Sequence, residues 1–262
     1  MKVLFDDGKP LVCFFDSGIG GLTLLCEAIK RSEGVHYAYF ADNYNVPYGR
    51  YSHDELLGVA DGIFGSISGY NPSAAVIACN TVTAHCAAYL RDKYNFPIIG
   101  IQPAIKPAVA GVKSCLVLAT PATANSRSLS DLVARFGNGI TEVVACPKLA
   151  SYIEENAPNF SEEKIFNMLP DIKTQSVVLG CTHYIYVKQI ISKFYGGCPV
   201  FDGVEGTVNR LLSILGICDH FSEKSKAILP AKTEISVSAW EEVVFIGGNV
   251  QKNAKILKFL LK

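Results

Sequence analysis

Two cysteines occupy matching places in two similar stretches of the chain. Cys79 ends the apolar segment 74–79 and precedes small hydroxyl and amide residues, and Cys181 has the same position within residues 176–184. An apolar strand that ends in a cysteine at the start of a helix is a favourable place for a thiolate, because the free N–H groups of a helix N-terminus stabilise negative charge. The repeated pattern predicts two reactive thiols that face each other across one site.

Two opposed thiols can perform a reaction that a single thiol cannot. One removes a proton from a carbon atom while the other delivers a proton from the opposite face, which inverts a stereocentre. A free thiol titrates near roughly pH 8.5, and the helix terminus is expected to lower that value, so a thiolate–thiol pair is reasonable near neutral pH. The alternative is that Cys79 and Cys181 are buried structural cysteines, which is the commoner fate of an arbitrary cysteine.

The composition is that of a globular protein without the excess charge that binding to nucleic acid or to an anionic membrane requires. The 262 residues are 49% hydrophobic and 18% charged, and the formal net charge is zero, which gives no support for a nucleic-acid or membrane partner. No apolar run has the length of a membrane span or resembles a signal peptide, so we expect a soluble, cytoplasmic protein. The nine cysteines are odd in number and contain no CxxC pair, which argues against a disulfide framework or a zinc site.

Alternating apolar strands and amphipathic helices predict the α/β class. Each half of the chain reads as a mostly parallel sheet flanked by helices, and the second half repeats the first at a spacing of about a hundred residues. We expect two pseudo-symmetric lobes, one formed by residues 1–103 and completed by 213–262, the other by 104–212. Strands at about 233–238 and 243–248 and a final helix are expected to return to the first lobe.

Polar residues follow several of the predicted strands. In parallel sheets, ligands bind at the carboxyl ends of the strands, so the convergence of four such loops on one edge predicts a binding site. The residues in these loops are Asp16, Ser17, Tyr48, Gly49, Asn80, Thr81, Thr182 and His183.

The glycine-rich segment 16–21 lacks the lysine and the spacing of phosphate-binding loops. Its glycines are expected to let backbone N–H groups approach a carboxylate closely. Asp16 could orient or deprotonate a neighbouring thiol, or it could cap the following helix. His183 could assist Cys181 or simply bind backbone. Glu154 and Glu155 have, on pattern alone, the character of a solvated helix end.

The chain resembles the glutamate racemases of the cofactor-independent aspartate/glutamate racemase superfamily. The motifs that carry the resemblance run through nearly the whole sequence in order: FDSGIGG (15–21), ADNYNVPYG (41–49), IACNT (77–81), ACP followed by IEE (145–147 and 153–155) and LGCTHY (179–184). The resemblance implies two α/β lobes with the active site in the cleft between them, no cofactor and no metal. It also implies a homodimer that supplies D-glutamate for peptidoglycan synthesis.

The resemblance also assigns roles to individual residues. Cys79 and Cys181 would be the two acid/base groups, the first facing the D-isomer and the second the L-isomer. Asp16 would assist Cys79, while His183 and Glu154 would assist Cys181. The residues expected to bind the carboxylates and ammonium of the substrate are Asp16, Ser17, Tyr48, Gly49, Asn80, Thr81, Thr182 and His183.

At two positions this chain departs from the family pattern. Val82 and Ile185 stand where the family usually has alanine and proline. They are expected to reshape the pocket wall, which leaves a racemase of aspartate or of a hydantoin as an alternative to one of glutamate. An alternative of another class is a non-catalytic two-lobe protein that binds a dicarboxylate.

Overall fold

A computed structural model describes residues 7–217, 243–246 and 249–261. Within these residues the chain forms two parallel sheets flanked by helices, which confirms the predicted α/β class. The strand predicted at about 233–238 lies outside the described residues. The strands are β1 (Leu11–Asp16), β2 (His36–Ala41), β3 (Ala74–Ile77), β4 (Ile98–Gly100), β5 (Cys115–Ala119), β6 (Thr141–Ala145), β7 (Ser176–Gly180), β8 (Val200–Phe201) and β9 (Val243–Ile246).

Helices connect these strands and cover both faces of each sheet. Two further short segments, Tyr48–Arg50 and Thr182–Val187, are 3-10 helices. The α-helices are α1 (Leu22–Arg31), α2 (His53–Ser68), α3 (Asn80–Lys93), α4 (Ile105–Ala108), α5 (Pro121–Ala124), α6 (Arg127–Phe136), α7 (Leu149–Asn156), α8 (Glu162–Phe166), α9 (Lys188–Phe194), α10 (Val204–Leu215) and α11 (Val250–Leu261).

The two sheets share one strand order. The first sheet runs β4-β3-β1-β2-β9 and the second runs β8-β7-β5-β6, with every pairing parallel. Without β9, the first sheet has the topology of the second, with β1 equivalent to β5 and β3 equivalent to β7. The shared order agrees with the predicted duplication.

The central strands are buried on both faces, as the continuous apolar runs of parallel strands require. Successive residues of β1 belong to different cores: Phe14 packs in the cluster on one face of the sheet and Phe15 in the cluster on the other. The second sheet repeats this arrangement with Leu118 and Val117 on its two faces. The backbone of each sheet is therefore held rigidly between two layers of side chains.

The C-terminal elements pack on the first sheet. Strand β9 pairs with β2, and α11 packs against α1 with Ile256, Leu257 and Leu261 buried. Helix α10 also contacts α1, β3 and β4. The division into lobes stays a proposal, and the packing of α10 favours a boundary near residue 203 over one at 212. None of the described helices is both long and apolar enough to cross a membrane.

Candidate active site

The two thiols lie at equivalent points of the two sheets. Cys79 follows β3 and is the N-cap residue of α3, whereas Cys181 follows β7 and precedes the 3-10 helix at 182–187. In each sheet this position borders the point where the strand order reverses, which is where open α/β sheets bind ligands. Both thiols line one cavity of about 420 Å³.

The cavity brings together the side chains that the sequence singles out, with one exception. Asp16 is fully buried and is not part of the cavity wall. The predicted residues that line the cavity are Ser17, Tyr48, Gly49, Cys79, Asn80, Thr81, Glu154, Cys181, Thr182 and His183.

An ion pair stands beside Cys181. The Sγ atom of Cys181 lies 3.9 Å from Nδ1 of His183, and Nε2 of His183 lies 2.8 Å from Oε2 of Glu154. Burial alone would lower the pKa of His183, but the hydrogen bonds to Cys181 and Glu154 hold it well above its ordinary value. Burial is the largest influence and would raise the pKa of Glu154, but the hydrogen bond and charge of His183, the N–H of Ile19 and the charge of Lys252 together lower it to about 2. Glu154 is therefore not a solvated helix end, as the pattern alone indicates, but the half-buried partner of an imidazolium.

The glycine-rich segment binds this same carboxylate. The N–H of Ile19 donates to Oε2 of Glu154 at 2.9 Å, and Nδ2 of Asn43 donates to Oε1 at 3.2 Å. A Cβ placed on Gly18 would collide with the Glu154 carboxylate. The expected approach of backbone N–H groups to a carboxylate thus occurs with a carboxylate of the chain itself.

Gly20 brings the same segment close to the residues that follow Cys181. A Cβ at Gly20 would lie 2.7 Å from Nδ1 of His183 and 2.9 Å from Cβ of Thr182, both shorter than real Cβ contacts. The absence of a side chain at Gly20 therefore lets the segment after β1 pack directly on the residues after β7.

Cys79 lies in a different environment from Cys181. Burial raises the pKa of the Cys79 thiol well above its ordinary value, and the charge of Asp16 adds to this effect. Hydrogen bonds from the N–H of Val82 and from Ser17 act in the opposite direction but are weaker. The prediction that the helix terminus lowers the pKa of this thiol is therefore wrong for Cys79, because desolvation outweighs the helix N–H groups.

Asp16 binds the backbone of the N-cap residue of α1 without being the N-cap itself, and its assistance to Cys79 stays a prediction. Its Oδ2 accepts a hydrogen bond from the N–H of Gly21, the residue that precedes α1, at 2.7 Å. Burial raises the pKa of Asp16 to about 6, although the charge of His183 and the N–H of Gly21 oppose this rise. The carboxyl group therefore titrates within reach of neutral pH, next to Cys79.

Uncharged polar groups complete the first-lobe wall. Both amide atoms of Asn80 are buried and have no hydrogen-bond partner among the described residues. Oγ1 of Thr81 lies 3.1 Å from Oγ1 of Thr120 and from Oγ1 of Thr123, which links the two lobes. The hydroxyl of Tyr48 donates to Asp42 at 2.9 Å, which fixes the loop that carries Gly49.

Several lining residues were missed by the sequence reasoning. Thr120, Pro121 and Ala122 follow β5, and the equivalence of β5 with β1 is a signal that could have identified them. Residues Pro147, Ala150, Ser151 and Glu155 approach from the start and the outer face of α7.

Val82 and Ile185 do not line the cavity. Val82 is fully buried in the core beneath α3, and Ile185 packs partly buried against the cores of both lobes. The expectation that these two residues reshape the pocket wall is therefore wrong. Val46, in the atypical loop before Pro47, does line the cavity.

The remaining histidines that the structure describes make structural contacts. His36 bonds Asp7 at 2.8 Å, and His85 bonds the carbonyl of Ala122 at 3.1 Å and contacts the tilted ring of His53 at a centroid distance of 6.1 Å. Among the described residues, no group of three or more His, Cys, Asp or Glu side chains could hold a metal ion.

Curated relatives of known family match most of the chain. The glutamate racemase of Clostridium novyi is 39% identical over an alignment of 217 residues, and the match covers 79% of this chain and 83% of that protein. The glutamate racemase of Campylobacter curvus is 33% identical over an alignment of 261 residues, and the match covers 93% of this chain and 97% of that protein.

Solved structures show the same fold. The Escherichia coli glutamate racemase, crystallised with L-glutamate and the activator UDP-MurNAc-ala, superposes with a TM-score of 0.79 at 24% identity, over 96% of this chain and 95% of that one. The glutamate racemase of Aquifex pyrophilus gives a TM-score of 0.62 at 30% identity, over 78% and 83% of the two chains. The profile of the Asp/Glu/Hydantoin racemase family matches residues 25–211. The chain therefore belongs to the Asp/Glu/Hydantoin racemase family of isomerases, as its motifs predict.

Proposed function

We propose that this protein interconverts L- and D-glutamate by two-base proton transfer at the α-carbon, with Cys79 and Cys181 as the two acid/base groups. The observation that carries the proposal is that the two thiols line one cavity from equivalent strands of two similar sheets. The relatives named glutamate racemase favour glutamate over aspartate or a hydantoin as the substrate.

In the L-to-D direction, Cys181 acts as the base. Its thiolate, with Nδ1 of His183 3.9 Å away, takes the α-proton of L-glutamate, so a C–H bond breaks and an S–H bond forms. Cys79, kept as a thiol by burial and by Asp16, delivers its proton to the opposite face of the carbon. The product is D-glutamate, and the two thiols exchange roles in the reverse direction.

The charge that develops on the substrate is stabilised by uncharged donors. Neither lysine nor arginine occurs among the described residues of the cavity wall, so both carboxylates bind to hydroxyl, amide and backbone N–H groups. Such preorganised donors are most effective in a site that excludes water. The proposed binding residues are Ser17, Tyr48, Gly49, Asn80, Thr81 and Thr182, with Asp16 and His183 next to them.

The resemblance to the family supports further proposals about the biological role. We propose that the D-glutamate is used for peptidoglycan synthesis, and that the protein acts in the cytoplasm as a homodimer without cofactor, nucleic-acid or membrane partner.

Proton NMR of the purified protein in D₂O tests this function. L-glutamate, D-glutamate, aspartate and a hydantoin are incubated in parallel, and loss of the α-proton signal is followed together with formation of the opposite enantiomer. We expect racemisation of glutamate, its loss in Cys79→Ser and Cys181→Ser, and its retention in Cys198→Ser, which changes a half-buried cysteine outside the cavity. If only aspartate or only the hydantoin is racemised, that compound and not glutamate is the substrate. If glutamate binds but its α-proton does not exchange, the protein is a non-catalytic dicarboxylate-binding protein.

A further inference from the structure

We infer that Lys252, in the first turn of α11, is a positioning residue for the acid/base group at Cys181 and acts through Glu154 and His183. The inference rests on the proposed two-thiol reaction. It extends the site to the C-terminal helix, which carries none of the motifs described above.

Lys252 contacts Glu154 at two points. Its Nζ lies 3.5 Å from Oε1 of the carboxylate and also donates a hydrogen bond to the backbone carbonyl of Glu154. The lysine side chain is 29% exposed and the glutamate side chain 22%. Because both groups are largely shielded from solvent, their attraction is screened less than that of a surface ion pair.

The start of α11 holds Lys252 in place. Oδ1 of Asn249 accepts a hydrogen bond from the N–H of Lys252 at 2.9 Å, while Leu257 and Leu261 anchor the helix in the first-lobe core. A cation in the first turn of a helix is unfavourable, because the N-terminus of the helix dipole is positive. The carboxylate of Glu154 compensates that cost.

The contacts of Glu154 divide between its two oxygens. Oε2 receives the donors from His183 and Ile19, and Oε1 receives those from Asn43 and Lys252. Lys252 therefore holds Oε1 on the side away from His183, which leaves Oε2 directed at the imidazole. Since α11 packs on the first lobe and Glu154 belongs to α7, the contact also links the two lobes on the side of Cys181.

Lys252 also adds positive charge next to Glu154. Among the described groups around Glu154, His183 and Lys252 are the cations, and Asp16 and Glu155 are the other carboxyl groups. The further titratable neighbours of Cys181 are Cys79, Cys146 and Tyr184. Without Lys252, His183 alone would compensate the charge of Glu154, which loosens the orientation of the imidazole whose Nδ1 lies 3.9 Å from Sγ of Cys181.

Alkylation of Cys181 measures this effect without requiring turnover. The full-length protein and the variants Lys252→Gln, Lys252→Arg and Lys258→Gln are treated with iodoacetamide near neutral pH, and modification of each cysteine is followed by peptide mass spectrometry. Lys258 is exposed on the same helix and serves as the matched control. We expect Cys181 to react about 3- to 10-fold more slowly in Lys252→Gln, to recover in Lys252→Arg, and to be unchanged in Lys258→Gln. Cys79 is the internal reference, and its alkylation rate should be the same in the wild type and in all three variants.

Equal Cys181 rates in the wild type and in Lys252→Gln would overturn the inference, and so would equal slowing at Cys79 or in Lys258→Gln. Faster alkylation of all cysteines would indicate unfolding, and Lys252→Met then replaces the glutamine variant. Because alkylation needs no substrate, this result stands even if the wild type fails to racemise glutamate. If glutamate is the substrate, kcat should also fall about 10-fold in Lys252→Gln and recover in Lys252→Arg.

Discussion

Nε2 of His183 lies 2.8 Å from Oε2 of Glu154, although 29 residues separate the two in the chain. The bond joins the segment after β7 to α7, and the same oxygen accepts the N–H of Ile19 from the other lobe. Because the carboxylate is bound by donors from both lobes, the proposed acid/base group at Cys181 is complete only when the lobes are together.

The first prediction concerns the charge of Glu154. Glu154→Gln keeps the shape of the side chain but removes the charge that holds His183 as an imidazolium, so kcat/KM should fall about 10²-fold. Enantiomers have equal free energy in water, so kcat/KM must remain the same in both directions, which gives an internal check. Glu163→Gln, on the exposed side of α8 and outside the cavity wall, should retain nearly full activity. Similar losses in both variants would contradict a specific role for Glu154.

Asp16 is predicted to support activity at the expense of stability. Because burial raises its pKa from 3.8 to about 6, the folded state binds the proton more tightly than the unfolded chain. The free energy of unfolding therefore falls as pH rises from about 4 to about 6. Above pH 6 the total loss from this group is about 2–3 kcal/mol. Asp16→Asn should unfold at higher temperature than the wild type near pH 7.5 but not near pH 4.

In Asp16→Asn, kcat/KM should fall about 10²-fold. The wild-type pH–rate profile should have an acidic limb near pH 6, and this limb should be absent from the profile of Asp16→Asn. Calorimetry and pH–rate profiles measure the two effects, with Asp131→Asn on the exposed face of α6 as the control. A variant with full activity, or one with no gain in stability at neutral pH, would count against this account of Asp16.

Gly20 tests the close approach of the segment after β1 to the residues after β7. Gly20→Ala places a methyl group against Thr182 and His183, and displacement of these residues by about 1 Å should lower kcat/KM about 10²-fold. Gly62→Ala is the control, because no atom lies within 4 Å of the added Cβ in α2. That variant should be fully active and about 0.5–1 kcal/mol more stable. Full activity in Gly20→Ala, measured by chiral chromatography, would show that the close packing is unnecessary.

Asn80 is predicted to bind substrate rather than to stabilise the fold. Its amide is buried without a hydrogen-bond partner among the described residues, and such a group costs about 1–3 kcal/mol. Asn80→Ala should therefore leave the free energy of unfolding unchanged or raise it, while KM for glutamate rises at least about 10-fold. Urea unfolding and initial-rate kinetics separate the two effects. A large loss of stability with unchanged KM would assign Asn80 to the fold instead.

Much of this architecture could be predicted because parallel strands have a strong sequence signature. The runs that form β1, β3, β5 and β7 are apolar throughout, since both faces are covered, and polar residues follow them at the carboxyl ends. The repeated Cys79 and Cys181 segments make the duplication visible for the same reason. Residues at these strand ends were therefore predictable as cavity residues.

Properties that arise from contacts between distant segments could not be predicted. Glu154 looks like a solvated residue until its partners His183 and Ile19, 29 and 135 residues away, are known. Desolvation of Cys79 depends on the packing of surrounding elements and reverses the effect expected from its helix terminus. Lys252 has no motif around it, and its role follows only from the position of α11 next to α7.

The central claim is that two bases act on opposite faces of one carbon, and isotope incorporation tests it most directly. L-glutamate is incubated with the wild-type protein in D₂O, and the first few per cent of turnover is analysed by chiral separation and mass spectrometry. The account predicts that the D-glutamate formed carries deuterium at the α-carbon while the remaining L-glutamate keeps its proton. A product that retains the original proton, or L-glutamate that exchanges as fast as D-glutamate forms, would show that a single base serves both faces and would contradict the account.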